Sequence, residues 1–145
     1  MSILTDARQK VCTAIVDIAF GDIATTAVEV PVLDLPVGST VVDITLVVDT
    51  AFAGGTTHDL DIGDASDPNR YTAAISEIDA VGIPANPPAI TGFETTDSEP
   101  QISVTPTHTG GSPTSGAARL IVGYVEAGRH DENFGDGLEF QGAPA

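Results

Sequence analysis

The strongest constraint on the fold is an alternation of apolar and polar residues with a period of two. The clearest case is the stretch 41–50. Its apolar side chains fall on one face of a strand: Val42, Ile44, Leu46 and Val48. Its polar side chains fall on the opposite face: Asp43, Thr45 and Asp49. Because successive side chains of a strand point to opposite faces, this pattern predicts a strand with one buried and one solvent-exposed face.

The same alternation returns along much of the chain. It predicts further strands at 11–20, 27–35, 57–62, 71–75, 101–105 and 117–126. Pro31 lies inside one of them, which predicts an edge position or a bulge because proline cannot donate to the ladder. The stretch 117–126 is apolar on both faces, which predicts a central strand or one covered by a partner chain. Gly- and Pro-rich turns separate these runs, so the sequence predicts an all-β fold, a single antiparallel β-sandwich or jelly-roll-like domain.

The two ends of the chain do not follow this pattern. We therefore divide the chain into an N-terminal arm (1–10), a β-sandwich domain (11–127) and an extended acidic C-terminal tail (128–145). A Pro-rich loop at 83–100 interrupts the domain. Apolar residues of the arms and of the two-faced strand are the candidate interaction residues: Ile3, Leu4, Ile121, Val125, Phe134, Leu138 and Phe140. The alternative for the tail is a frayed terminus without a docking role.

The charge of the chain excludes several classes of partner. Twenty-one acidic residues against five basic ones give a formal net charge of −16. Such a protein repels nucleic-acid phosphates and anionic membranes, so neither is an expected partner. The acidity serves solubility in a salty medium, where ions screen the self-repulsion, or attraction to a basic partner or to divalent cations. We expect a soluble protein made in a cytoplasm, since neither a signal peptide nor an apolar run of about 20 residues is visible.

The acidic stretch HDLDIGDASDP at 58–68 is the best candidate for a metal site. Measured from Asp59, an EF-hand would need an acidic or amide residue fifth, glycine sixth and glutamate twelfth. The chain has Gly63, Asp64 and Arg70 at those places. The alternation instead assigns Asp59 and Asp61 to the wet face of a strand, and the next two aspartates to the following turn. Asp64 and Asp67 remain weak candidates for a calcium site.

The sequence contains no recognisable catalytic signature. The three histidines, His58, His108 and His130, are far apart in the chain and share no ligand spacing. The chain contains no G-x-S-x-G elbow, no dinucleotide-binding glycine motif and no P-loop lysine. We expect a protein that is not an enzyme and that uses no cofactor.

Two parts of the chain resemble a known group of proteins. The first is LPVGSTVVDITLVVDTAFAGGTTHDLDIGDASDPNRY at 35–71. The second is the segment 102–106, followed by a Gly-rich turn and the strand 117–125, which ends in Gly-Tyr-Val-Glu. These patterns of strands and turns, together covering roughly 23–126, are similar to small β-sandwich structural proteins of tailed bacteriophages, the capsid decoration (cement) type and related virion proteins.

This resemblance implies a specific role. Such a protein binds the outside of the phage head, often as a homotrimer, adds mechanical stability and does no chemistry. Its partners would be the major capsid protein and further copies of itself. Two alternatives stay open: a calcium-dependent β-sandwich binding or adhesion module that uses Asp64 and Asp67, and a tail or head-fibre structural protein of the same phage.

Overall fold

The computed structural model describes residues 9–72 and 76–130, which form two antiparallel sheets. The described chain contains β1 (Gln9–Ala19), a 3₁₀ turn (Phe20–Ile23), β2 (Val30–Asp34), β3 (Ser39–Ala53), β4 (Thr57–Gly63), β5 (Ser76–Glu77), β6 (Gln101–Thr109) and β7 (Ser115–His130). The first sheet has the order β1-β7-β3, and the second has the order β2-β6-β4-β5. The predicted all-β fold with an antiparallel sandwich is confirmed.

An aliphatic core fills the space between the two sheets. Every second residue of the central strands is buried because a strand points alternate side chains to one face. The first sheet contributes Ile44, Leu46, Val48, Leu120 and Val122, and the second contributes Leu60, Ile62, Ile102 and Val104. Burial of these side chains stabilises the sandwich by roughly 1.5–3 kcal/mol for each large aliphatic residue.

The central strand of the first sheet is β7, as its two apolar faces predict. It pairs with β1 on one side and with β3 on the other. Leu120 and Val122 point into the core, whereas Ile121 lies on the outer face between Ile15 and Thr45. The main-chain groups of β7 are therefore paired on both sides, and its second apolar row faces outward.

The prediction for Val42 is wrong, because β3 contains a bulge at this point. Val41 is 2% exposed and Val42 is 41% exposed. The register with β7 shifts between Val41 and Asp43, so one extra residue is inserted and the alternation slips by one. The remaining predicted inward residues of this strand, Ile44 to Val48, keep their place.

Other strand predictions have mixed outcomes. Pro31 lies on β2, an edge strand, at a register shift against β6, so both expectations for this proline are met. The predicted strand at 71–75 is wrong where it is described, because Tyr71 lies in a turn. Residues 73–75 lie outside the described part. The strand that does pair with β4 here is β5, at Ser76–Glu77.

The segment between β5 and β6 covers the outer edge of β3. Val48 and Gly82 exchange two backbone hydrogen bonds of 2.9 Å. Farther along, Gly38 donates to the carbonyl of Thr95 and Thr95 donates to the carbonyl of Ser39. The Pro-rich loop that the sequence predicts at 83–100 lies within this segment. The loop region therefore forms backbone hydrogen bonds with the edge of β3 and shields that edge from pairing with another strand.

Candidate interaction surfaces

The outer face of the first sheet carries exposed aliphatic side chains. We call Val11, Ile15, Ile121 and Val125 the apolar face. The register pairs Val11 with Val125 and Ile15 with Ile121, and the Thr13–Gly123 pair lies between these two cross-strand pairs on the same face. Val11 is 53% exposed and Ile15 is 62% exposed. Large aliphatic side chains that are grouped and exposed on one face are typical of contact sites between proteins.

One arginine and two aspartates border the Ile15–Ile121 end of the apolar face. Arg119 lies one pair beyond Ile121 on the same outer row, and its Nε donates to the Asp49 carboxylate at 2.9 Å. Asp17 is the β1 partner of Arg119. The hydrogen bond from Arg119 to Asp49, with further attraction to Asp49 and Asp17, raises the pKa of the guanidinium. The single positive charge of Arg119 therefore offsets one of the two negative charges beside it, and the group keeps one net negative charge.

The outer side of the second sheet has the opposite character. We call Asp59, Asp61, Glu77 and Asp79 the acidic face. The register places Asp59 directly opposite Glu77, and like charges at such a pair repel. Among the described residues, no lysine or arginine forms an ion pair with any of the four. The prediction that Asp59 and Asp61 line the wet side of β4 agrees with the burial of Leu60 and Ile62 on the other side.

The acidic face shifts the titration of its own carboxyl groups. Partial burial is the largest cause that raises the pKa of Asp59, and repulsion from Glu77, Asp79 and Asp61 raises it further. Partial burial also raises the pKa of Asp61, against a hydrogen bond from the Thr72 hydroxyl. Each shift means that the charged carboxylate is less stable here than in the unfolded chain.

Asp64 differs from these aspartates because it is buried and fully hydrogen-bonded. Its side chain is only 2% exposed. One carboxylate oxygen accepts hydrogen bonds from the backbone and hydroxyl of Ser66 and from the backbone of Asp67, and the other accepts from Arg70 Nε. Asp64 therefore lies after β4, where the sequence predicts a turn, but its side chain is buried and paired with Arg70. The sequence pattern could not show that the turn folds back onto the end of β4.

The turn closes tightly over Gly63. A Cβ atom at this position would lie 2.1 Å from the Asp67 carbonyl oxygen, so only glycine fits without rearrangement. On the other side, the Arg70 guanidinium carbon lies 3.6 Å from the centre of the Phe93 ring. Such a cation–π contact adds roughly 0.5–1 kcal/mol at a partly exposed site. Arg70 therefore connects the turn to the segment that covers β3.

The guanidinium of Arg70 lies beside the Asp64 carboxylate, where a bound cation would have to lie. Burial alone would raise the pKa of Asp64. Hydrogen bonds from Arg70 and from the Asp67 backbone, with the charge of Arg70, outweigh it and hold this pKa below its usual range. The two weak calcium candidates are thus unlike one another, since Asp64 is already paired and the Asp67 side chain is 44% exposed. A divalent cation would have to displace the guanidinium to reach Asp64.

Two histidines that are far apart in the sequence meet in the second sheet. The register pairs His58 of β4 with His108 of β6, and their Nδ1 atoms are 2.9 Å apart. His108 Nε2 lies 2.6 Å from the carbonyl oxygen of Ile23, which can only accept. For neutral rings, His108 therefore donates from Nε2, and His58 donates from Nδ1 to His108. No local ligand spacing in the sequence predicts this pair, because a cross-strand register is a long-range property.

Most of the candidate interaction residues lie outside the described part of the chain. Of the candidate interaction residues, only Ile121 and Val125 fall on the apolar face. The others lie outside the described residues: Ile3, Leu4, Phe134, Leu138 and Phe140. Within residues 9–72 and 76–130, no three His, Cys, Asp or Glu side chains are grouped so that they could bind a metal ion. The same part of the chain contains no helix that could span a membrane.

Comparisons with known proteins bear on the fold. No protein-family model and no curated protein matches the sequence. The structure is similar to a chain of the cyanophage Pam1 capsid asymmetric unit, with a TM-score of 0.67 and 22% identity over 87% of this chain and 91% of that chain. It is also similar to a chain of the capsid of Ralstonia phage GP4, with a TM-score of 0.58 and 22% identity over 88% of this chain and 91% of that chain. The resemblance to phage β-sandwich structural proteins is confirmed for the fold.

Proposed function

We propose that this chain is a non-enzymatic structural protein of a tailed-phage particle, and specifically a capsid decoration protein on the outer surface of the head. The observation that carries the proposal is the shared fold. The chains that it resembles belong to phage capsids, and the likeness covers about nine-tenths of each chain. A fold alone does not define a function, so the character of the two outer faces has to support the same role.

The apolar face supports contact between copies of the protein. Val11 and Ile15 are more than half exposed, and burial of such residues contributes roughly 25 cal/mol for each Å² removed from water. We assign this face, including Ile121 and Val125, to the interface of a homotrimer. The positive charge of Arg119 offsets part of the negative charge of Asp17 and Asp49 beside this face, which reduces the repulsion between copies that approach here.

The acidity supports a position outside the shell. A formal charge of −16 opposes contact with a packaged genome. On the outer surface, the terminal arms reach neighbouring subunits. In this proposal, Ile3 and Leu4 contact the major capsid protein, and Phe134, Leu138 and Phe140 contact a neighbouring subunit. Ordering of these arms costs conformational entropy, so the new contacts must exceed that cost.

A binding experiment tests this role. Full-length protein is mixed with purified heads that lack it, and bound protein is counted after sedimentation and located by cryo-electron microscopy. We expect saturable binding on the outer surface. The double variant Ile3→Asp and Leu4→Asp should bind at least tenfold more weakly, and Ser2→Asp should bind as the wild type does. Density for the chain in the tail or a head fibre would refute the decoration role and favour the alternative location.

A further inference from the structure

The four sheet edges of the sandwich are protected to different degrees. The edge of β3 is covered by the segment between β5 and β6, β2 is interrupted by Pro31 and a bulge, and β5 has only two residues. In contrast, β1 has eleven residues and keeps its register with β7 from Val11 to Ala19. No described segment besides β7 forms a backbone hydrogen bond with β1. A long unprotected edge of this kind accepts an added strand.

A groove runs beside this edge, between β1 and β2. Its volume is about 270 Å³. It is lined by Val16, Asp17, Ile18, Asp22, Val30, Pro31 and Val32. The three valines are partly buried against the core, so the floor is aliphatic. A strand that pairs with β1 would point every second side chain into this groove, because strands alternate their faces.

The sequence after β7 has a pattern that fits such a groove. Leu138 and Phe140 are two positions apart, so they share one face of an extended strand, and Phe134 has the same parity, with Asp136 between it and Leu138. The opposite face carries Gly137 and Glu139. From His130 to Leu138 an extended chain reaches about 27 Å, which is enough to cross from one copy to a neighbour.

The position of the chain ends favours a second copy as the donor. His130, the last residue of β7, pairs with Gln9, the first residue of β1. Both terminal segments therefore leave the first sheet at the same end. To reach the free side of β1 in its own chain, segment 131–145 would have to pass around the end of β1 at Gln9, whereas the edge of a second copy requires no such path.

We propose that segment 131–145 of one copy adds as a strand to the free edge of β1 of another copy. Leu138 and Phe140 fill the groove beside Val16, Val30 and Val32. This inference rests on the self-association in the proposed function and names its main contact. Backbone pairing supplies affinity, and the two groove positions supply specificity.

The test uses the full-length chain in sedimentation equilibrium without capsids. We expect the double variant Leu138→Asp and Phe140→Asp to self-associate at least tenfold more weakly than the wild type. The charge-matched control, Gly137→Asp with Gln141→Asp, adds the same two negative charges on the opposite face of the strand and should associate as the wild type does. Equal association by the groove-directed variant would overturn the proposal.

A peptide and a receptor variant test the other side of the contact. Excess synthetic peptide 131–145 should dissociate the wild-type oligomer, and the peptide with Leu138→Asp should not. Val32→Asp in the groove should weaken association, and Val37→Asp, in an exposed turn away from the groove, should not. If Val32→Asp unfolds the protein, the peptide series still decides. A peptide that fails to dissociate the oligomer at saturating concentration would overturn the proposal.

The outcomes separate this inference from the proposed function. If the tail variants lose self-association and the wild type does not bind heads, the inference holds and the decoration role fails. If the wild type binds heads and the groove-directed variant stays associated, the decoration role holds and the inference fails. A wild type that is monomeric at all concentrations tested would also overturn it, because the donor would not be a second copy.

Discussion

The two outer faces of the sandwich follow one rule of construction and end with opposite surfaces. In both sheets, alternate residues enter the core and the others face outward. In the first sheet the outward row contains Val11, Ile15 and Ile121, and in the second it contains Asp59 and Asp61. The inward row therefore specifies the fold, and the outward row specifies what the molecule can contact.

In the proposed homotrimer, this contrast directs association to one side of the molecule. Copies that approach by their acidic faces bring unpaired carboxylates together, which costs free energy and suppresses that orientation. Copies that approach by the apolar face remove aliphatic surface from water. The acidic face thus acts on orientation, and the apolar face acts on affinity.

The largest expected effect on the free energy of unfolding comes from Asp64. Unlike the carboxylates of the acidic face, its side chain is buried and paired with an arginine. Asp64→Asn leaves Arg70 without its charged partner and should lower the free energy of unfolding by about 3 kcal/mol. Asp67→Asn, at a much more exposed carboxylate, should change it by less than about 0.5 kcal/mol. Urea denaturation at pH 7 measures both. Equal effects of the two substitutions would contradict the buried pair.

The next effect concerns the apolar face. Ile15→Asp should weaken self-association at least tenfold, or by about 1.4 kcal/mol, because it places a charge among aliphatic contacts. Its free energy of unfolding should stay within about 0.5 kcal/mol of the wild type, since the side chain is exposed. Val81→Asp, at another exposed valine, is the control. Sedimentation equilibrium that gives the same association constant for both variants would remove this face from the interface.

A substitution on the acidic face should stabilise the protein, whereas Asp64→Asn should destabilise it, and the effect should be smaller. The folded pKa of Asp59 is raised, so its ionisation destabilises the folded state as pH rises through that pKa. Asp59→Asn should therefore stabilise the protein at pH 7 by about 0.5 kcal/mol after solvent screening. The gain should disappear below the unfolded pKa of 3.8. Denaturation as a function of pH, with Asp97→Asn as control, measures this. A gain that persists at pH 3 would refute the electrostatic cause.

The smallest effect is the one expected from calcium. Because Arg70 already neutralises Asp64, calcium at millimolar concentration should leave the melting temperature unchanged relative to EDTA. The adhesion-module alternative instead requires an increase that Asp64→Asn abolishes. Differential scanning calorimetry of the wild type and of this variant distinguishes the two.

Much of the fold was accessible from the sequence because alternation is a local property. The period of two located β4, β6 and β7, and the missing donor of Pro31 identified an edge with a bulge. The error at Val42 arose from a bulge, which depends on the partner strand and leaves no local mark. The burial of Asp64 and the contact of His58 with His108 depend on segments that are distant in the sequence. The predictions for Ile3, Leu4, Phe134, Leu138 and Phe140 stay predictions.

The covered edge of β3 has a consequence for assembly at high local concentration. A sheet with two open edges can add copies at both sides without limit and grow into a fibre. Hydrogen bonds from Gly82 and Thr95 close one side of the first sheet, so strand addition is confined to β1. In the proposed assembly each copy offers one donor segment and one acceptor edge, so growth ends where these contacts close into a ring, and a small ring suits a protein that must accumulate as separate assemblies instead of a continuous filament.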